Sequence, residues 1–114
     1  MEEGQPDARF IPVARLDALD ARGRVVVEVG GTRVALVRVA GRLYALEDAC
    51  PHRGGPLSEG DLEGHLLHCP LHAWPFDVRT GRCPRHEGVE VRVYDVRVRG
   101  GEILVAASDR VAAR

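Results

Sequence analysis

Four residues in the middle of the chain could together hold a metal: Cys50 and His52 in the segment CPH, and Cys69 and His72 in the segment CPLH. Each segment supplies one thiolate and one imidazole next to a proline. Two such loops brought together would offer two sulfur and two nitrogen ligands, a set with two candidate occupants, zinc or an iron–sulfur centre. We therefore predict one metal site built from these four residues.

The remaining cysteine and histidines are expected to play other roles. Cys83 makes the cysteine count odd, which argues against a disulfide framework, and we interpret it as a small buried or semi-buried residue rather than a reactive or ligating one. His65 and His68 precede Cys69 closely, but we interpret them as strand residues that are exposed or hydrogen-bonded. His86 is predicted to lie on a surface loop.

Short apolar runs separated by glycine pairs predict an antiparallel β meander around these loops. The predicted elements are an edge strand at 10–13, a helical turn at 16–20, strands at 24–29, 32–39 and 42–46, a loop-rich insertion at 47–88, a strand at 89–99 with a bulge near Tyr94-Asp95, and a strand at 102–107. No long helix is predicted. Both cysteine–histidine segments lie in the insertion, so the sheet must carry and position it.

Composition excludes several other classes of protein. The chain has 114 residues and a net charge of -1, which fits one domain, and its 16 basic residues are all arginines scattered among 17 acids. No basic patch suggests nucleic acid, and no apolar run approaches the length that spans a membrane. The first residues are acidic, unlike a secretory signal, so we expect a cytoplasmic protein. Glu47 and Asp48 are interpreted as solubilising residues at a strand end.

The pattern C-x-H followed by C-x-x-H, with RGGPLSEG after the first half and AWPFDVRTG after the second, resembles the Rieske [2Fe-2S] domain. The resemblance spans roughly residues 9–106. It implies that Cys50 and Cys69 hold a buried iron while His52 and His72 hold the outer iron. It also implies an all-β fold, an antiparallel β sandwich or barrel with an inserted cluster-binding subdomain.

The resemblance suggests boundaries along the chain. We expect an N-terminal extension at 1–8, a Rieske domain at 9–107 with its cluster-binding subdomain at about 48–86, and a C-terminal tail at 108–114. In the family, a proline-containing loop closes the cluster from a third side, and Pro84 is in the right place for it.

Departures from the wider family bear on the reduction potential. Neutral imidazoles in place of two thiolates raise the potential into the range of about -150 to +300 mV. High-potential members add a disulfide where this chain has Gly55 and Leu71, and hydroxyl donors where it has Trp74 and Phe76. Without those donors the potential should lie at the low end of the range. We interpret Trp74 as shielding the cluster from water.

The resemblance implies a soluble Rieske-type ferredoxin, a one-electron carrier rather than a complete enzyme. No G-x-G-x-x-G fingerprint is present, so electrons must come from a separate reductase. The acceptor would be an aromatic-ring oxygenase or the large subunit of an NADH-dependent nitrite reductase, with Cys83 and residues 93–98 tilting the choice toward the second. The docking face would be the tip around His52 and His72, with an apolar rim made of Pro51, Gly54, Gly55, Leu71 and Ala73. The alternative is a zinc-stabilised binding module with a Cys2His2 site.

Overall fold

The computed structural model describes residues 10–51, 54–71 and 73–106. The two histidines predicted as ligands, His52 and His72, lie outside the described residues, as do Arg53, the predicted extension at 1–8 and the predicted tail at 108–114. Within the described part of the chain, no helix is both long enough and apolar enough to cross a membrane.

Three antiparallel sheets make up the described structure. The strands are β1 (Phe10–Arg15), β2 (Arg24–Val29), β3 (Thr32–Val39), β4 (Arg42–Glu47), β5 (Leu62–Glu63), β6 (Leu66–His68), β7 (Pro75–Asp77), β8 (Val93–Tyr94), β9 (Val96–Arg99) and β10 (Glu102–Ala106). The sheet orders are β1-β10-β9, β2-β3-β4-β8 and β5-β6-β7. Two single 3-10 turns, Leu16–Ala18 and Leu57–Glu59, connect them.

The predicted meander is confirmed, and its turns show why it forms. Both residues of the turn at 30–31 have positive φ angles, +58° and +85°, and the turn at 40–41 adopts the same conformation. Two-residue turns of this kind match the twist of antiparallel strands, so they bring β2, β3 and β4 into uninterrupted register. The edge strand predicted at 10–13 is also present, paired with β10.

The central sheet separates two apolar cores because successive side chains of a strand point to opposite faces. In β3, Ala35 and Val37 face the first core, while Val34 and Leu36 face the second. The first core continues into the sheet β5-β6-β7 and contains Cys50 and Cys69. The second core is covered by the sheet β1-β10-β9. The cysteines are therefore built into the core on one face of the central sheet.

The bulge predicted near Tyr94-Asp95 is instead a change of sheet. Tyr94 in β8 pairs with β4, whereas Val96 in β9 pairs with Val105 in β10. The change of side-chain parity at this point comes from the chain leaving the central sheet, not from an extra residue in one strand. The crossover joins the central sheet to the sheet β1-β10-β9, and Tyr94 and Val96 on either side of it pack in the second core.

A tight turn follows β7 and directs the chain back toward the central sheet. The Asp77 carboxylate accepts hydrogen bonds from the Arg79 backbone N–H at 2.9 Å and from the Arg79 guanidinium at 2.8 and 3.0 Å. These bonds from Arg79 lower the pKa of Asp77, so the carboxylate stays ionised at neutral pH. The Gly81 N–H closes the turn on the Asp77 carbonyl at 2.6 Å.

Candidate functional site

The first cysteine loop, residues 50–55, is closed by two backbone hydrogen bonds. The Cys50 N–H donates to the Gly55 carbonyl at 2.9 Å, and the Gly54 N–H donates to the Cys50 carbonyl at 2.5 Å. Gly54 has a φ of +73°, which reverses the chain without a steric penalty for glycine. This loop follows β4 directly and carries the first predicted cysteine ligand at its base.

The second cysteine loop, residues 69–74, repeats this hydrogen-bonding pattern. The Cys69 N–H donates to the Trp74 carbonyl at 2.8 Å, and the Ala73 N–H donates to the Cys69 carbonyl at 2.7 Å. Ala73 has a φ of +63° and so occupies the position that Gly54 occupies in the first loop. The same two backbone hydrogen bonds therefore hold both cysteines.

The second loop has alanine at a position whose positive φ angle favours glycine, whereas the first loop has glycine there. We therefore predict opposite effects for exchanging the two residue types. Ala73→Gly should stabilise the protein by up to about 1 kcal/mol. The left-handed conformation costs an L-residue about 1–2 kcal/mol, and glycine avoids this cost. Part of the gain is offset because glycine loses more conformational entropy on folding than alanine does. Gly54→Ala should destabilise it by about 1 kcal/mol, since nothing lies within 4 Å of the added Cβ and only backbone strain changes. Thermal unfolding of both variants measures the two effects, and equal signs for the two substitutions would contradict the prediction.

The two loops meet at Gly55. A Cβ on Gly55 would lie 2.9 Å from Leu71 Cγ and 3.1 Å from Cys69 Sγ. Only a residue without a side chain lets the first loop approach the Cys69 sulfur this closely. Gly55 and Leu71 are the two positions where high-potential Rieske proteins are expected to carry a disulfide, and here an apolar contact joins the loops instead.

Both thiols are buried and unbridged. Cys50 and Cys69 are each 1% exposed, and neither forms a disulfide. Thiolates in apolar surroundings are costly unless a metal neutralises them, and they suit the inner side of a cluster whose other side faces solvent. The donor set present therefore fits a metal–sulfur centre held between the loops.

An exposed apolar tip lies above the thiols. Leu71 is 61% exposed, and Pro51, Gly54 and Ala73 are also exposed. Gly55, which we predicted to be part of this rim, is buried, because Leu71 covers it. The rim of the tip thus comes from both loops, with Leu71 as its most prominent side chain.

A third segment, which contains Pro84 and His86, packs against the second loop. The His86 ring stacks on Trp74, with centroids 3.8 Å apart and planes inclined by 26°, so His86 is half-buried and not a free surface residue. Pro84 is exposed and lines a cavity of about 710 Å³ with Asp77 and Cys83. The aromatic stack therefore joins this third segment to the second loop.

The other predicted residues have structural roles. Cys83 is 4% exposed within the first core, which confirms that it is a buried residue. The His65 ring packs edge-on against Tyr44 from a turn and not from a strand, whereas His68 lies in β6 and pairs its Nδ1 with the Ala73 carbonyl at 3.3 Å. Across residues 10–51, 54–71 and 73–106, no three His, Cys, Asp or Glu side chains converge on a common metal position.

Sequence reasoning missed one polar group beside the site. Asp48 is only 3% exposed and accepts hydrogen bonds from Ser58, so it is not a solubilising residue. Arg24 is buried with it, and burial lowers the pKa of its guanidinium, which nevertheless stays charged at neutral pH. No local pattern in the sequence marks these residues, because their partners are distant along the chain.

The described structure is an all-β domain with two buried cysteines on adjacent loops beneath an exposed apolar tip. The sequence model of the Rieske [2Fe-2S] domain matches residues 9–105. The chain therefore belongs to the Rieske [2Fe-2S] domain family, and its cofactor is a [2Fe-2S] cluster.

Proteins with similar sequences include ferredoxins and a ferredoxin component of a dioxygenase system. Ferredoxin CarAc of Metapseudomonas resinovorans is 39% identical over 88 residues, which cover 76% of this chain and 82% of that protein. The ferredoxin component of the naphthalene 1,2-dioxygenase/salicylate 5-hydroxylase systems of a Ralstonia species is 33% identical over 99 residues, 84% of this chain and 93% of that protein.

A solved structure supports the same conclusion. The ferredoxin of carbazole 1,9a-dioxygenase from Nocardioides aromaticivorans has a TM-score of 0.77 and 38% identity, covering 87% of this chain and 98% of that one. The predicted all-β Rieske fold is thus confirmed. The chain is a Rieske-type ferredoxin, an electron carrier and not a complete enzyme.

Proposed function

We propose that this ferredoxin carries single electrons from a separate reductase to the terminal oxygenase of a multicomponent aromatic-ring oxygenase system. The observation that carries the proposal is the pair of buried thiols beneath an exposed apolar tip, in a chain similar to the ferredoxin component of the naphthalene 1,2-dioxygenase/salicylate 5-hydroxylase systems. A similar solved structure is a complex of reduced oxygenase and oxidised ferredoxin of carbazole 1,9a-dioxygenase, with a TM-score of 0.77 and 32% identity.

The nitrite reductase large subunit becomes the second candidate acceptor. In the sequence, Cys83 favours this enzyme as the acceptor. The structure buries Cys83 in the first core, and this packing role is compatible with either acceptor. The oxygenase is favoured because two of the similar proteins named above are ferredoxins of dioxygenase systems.

Cys50 and Cys69 are the proposed ligands of the inner iron, and His52 and His72 the proposed ligands of the outer iron. The burial of both thiols supports the inner assignment. When bound, the cluster supplies a one-electron couple, and we place its potential at the low end of about -150 to +300 mV. Phe76, fully buried in the first core, offers no hydroxyl to stabilise extra charge there. The subdomain at about 48–86 that carries these residues is the proposed cluster-binding unit of the domain at 9–107.

The tip is the proposed docking surface. Leu71, Pro51 and Ala73 give it a small apolar area, and small interfaces suit carriers that must leave quickly after transfer. The surrounding protein keeps water from the sulfur side while leaving the tip open to a partner. We propose that the carrier works as a soluble protein in the cytoplasm.

Metal analysis and a transfer assay test this function together. The purified protein should be red-brown, with two irons and two inorganic sulfides per chain and a reduced-state EPR signal averaging below g = 2. Mixed after reduction with the terminal oxygenase from its host, it should be reoxidised faster than a Leu71→Asp variant, whose charge would be buried on docking. A colourless, zinc-loaded protein would support the zinc-stabilised binding module instead, and faster reoxidation by a nitrite reductase would identify that enzyme as the client.

A further inference from the structure

Three polar side chains are buried beside the cysteine loops although none of them is a proposed ligand. In the described part of the chain, Arg24, Asp48 and Ser58 are the buried polar residues, with exposures of 6%, 3% and 3%. Burying charged groups costs several kcal/mol unless they are paired and hydrogen-bonded, so such a group contributes more to fixing a geometry than to stability. The position of these three side chains therefore indicates which part of the structure they hold in place.

All three polar groups of Ser58 are bonded by the other two side chains. The Ser58 N–H donates to Asp48 Oδ1 at 2.7 Å, and its hydroxyl donates to Asp48 Oδ2 at 3.1 Å. Arg24 Nη1 donates to the Ser58 carbonyl at 2.7 Å and to the Gly60 carbonyl at 2.6 Å. We name Arg24, Asp48 and Ser58 the Ser58 clamp, because together they hold the 3-10 turn Leu57–Glu59 from both sides.

One side of the clamp is fixed to the central sheet next to the first cysteine loop. Asp48 lies two residues before Cys50, and its backbone N–H donates to the Arg33 carbonyl of β3 at 2.9 Å. The held turn begins shortly after Gly55, where that loop ends. The Asp48 carboxylate therefore connects the residues just before the first cysteine loop to the 3-10 turn just after it.

The held turn touches the second cysteine loop on its other side. Gly60 packs directly on the backbone carbonyl of His68, and the His68 N–H donates to the Asp61 carbonyl at 2.8 Å. His68 immediately precedes Cys69. A displacement of the turn would consequently move the base of the second loop relative to the first.

We propose that the Ser58 clamp sets the separation between the two cysteine loops and so positions the cluster ligands. The inference rests on the proposed roles of Cys50 and Cys69 as ligands. A cluster held from both loops responds to their relative position, since outer contacts orient the ligands and tune the potential. Arg24, Asp48 and Ser58 are thus positioning residues for electron transfer.

Ser58→Ala gives the cleanest test because it removes one hydrogen bond without changing charge. Because no charged side chain is removed, a shift of the reduction potential reports the altered hydrogen bonding of the clamp and not the loss of a charged residue. We expect a shifted potential, altered g values in the reduced EPR spectrum, and iron loss to a chelator that is about fivefold faster, which corresponds to about 1 kcal/mol. Thr80→Ala is the matched control, since it deletes an exposed hydroxyl outside the clamp, and its values should equal those of the unmodified protein.

A second pair of variants tests the other half of the clamp. Arg24→Gln removes the bonds to Ser58 and Gly60, whereas Arg22→Gln removes an exposed arginine that is bonded to Asp20. Only the first should shift the potential and accelerate iron loss. If Arg24→Gln does not fold, Ser58→Ala decides alone.

A third measurement separates this inference from the proposed function. Amide exchange at Cys50 and Cys69, measured on the protein as isolated, should speed up at both cysteines in Ser58→Ala whether or not a cluster is present. A protein without iron would contradict the proposed function, yet the exchange data would still test the clamp. Unchanged potential, EPR spectrum and exchange alongside a lower melting temperature would overturn the inference, because the clamp would then only stabilise the fold.

Discussion

Replacing Gly60 by alanine is expected to destabilise the protein by about 3 kcal/mol or more, a loss that lowers the melting temperature by more than about 10 °C. Gly60 has an ordinary φ of -85°, so backbone preference is not the reason. An added Cβ would instead coincide with the His68 carbonyl oxygen and lie 2.7 Å from its carbon. Backbone cannot move aside as the end of a side chain can, so the turn and the second cysteine loop must separate.

The damage should extend to the cofactor. Separating Gly60 from His68 displaces the base of the loop that carries Cys69, so we expect Gly60→Ala to be purified with less than the full iron content. Gly64→Ala is the matched control: its φ of +62° strains an alanine, but nothing lies within 4 Å of the added Cβ. The control should lose only about 1 kcal/mol and keep its iron. Melting temperatures within a few degrees of each other for the two variants would show that the contact at Gly60 is unimportant.

Replacing His72 by cysteine should lower the reduction potential by on the order of 100 mV or more. If His72 is a ligand of the outer iron, as proposed, a thiolate in place of its neutral imidazole adds negative charge there, which disfavours a further electron. Clusters with four cysteine ligands have potentials near -400 mV, well below the Rieske range, and this difference sets the direction and scale of the effect. Protein-film voltammetry of the two proteins measures the shift directly.

A control for this substitution is available within the chain. His65→Cys introduces the same new thiol at a residue that packs against Tyr44 and is not a proposed ligand. Its potential should equal that of the unmodified protein. If His72→Cys also leaves the potential unchanged while both irons are retained, His72 is not a ligand. If His72→Cys loses iron and His65→Cys does not, the difference in iron content supports His72 as a ligand.

Short sequence patterns were sufficient to predict most of the β strands and their connections. Alternating apolar residues and paired glycines in turns act over a few neighbours, so the meander β2-β3-β4 and the hairpin β9-β10 could be predicted from the printed letters. The CPH and CPLH segments and their glycine-rich flanks pointed to the right family and cofactor for the same reason. The spacing of those residues is a local property of the chain.

The missed features all depend on contacts between distant residues. Asp48 follows a strand like many exposed acids, and only folding brings Ser58 onto its carboxylate and Arg24 to the other side of the turn, 34 residues from Ser58. His86 lies in a loop, as predicted, but only the folded chain stacks its ring on Trp74. The sheet change at Asp95 likewise depends on which neighbouring strand is nearer.

The amino-acid sequence by itself determined the β meander, the family and the two segments that carry the proposed cysteine ligands, because alternation, turn residues and motif spacing are properties of short segments. Only the tertiary structure decided that the same two hydrogen bonds hold both cysteines and that the two loops meet at Gly55. It also decided that the Ser58 clamp lies between them. Hydrogen bonds and close packing across many intervening residues depend on where the whole chain places its backbone, and no short pattern records that.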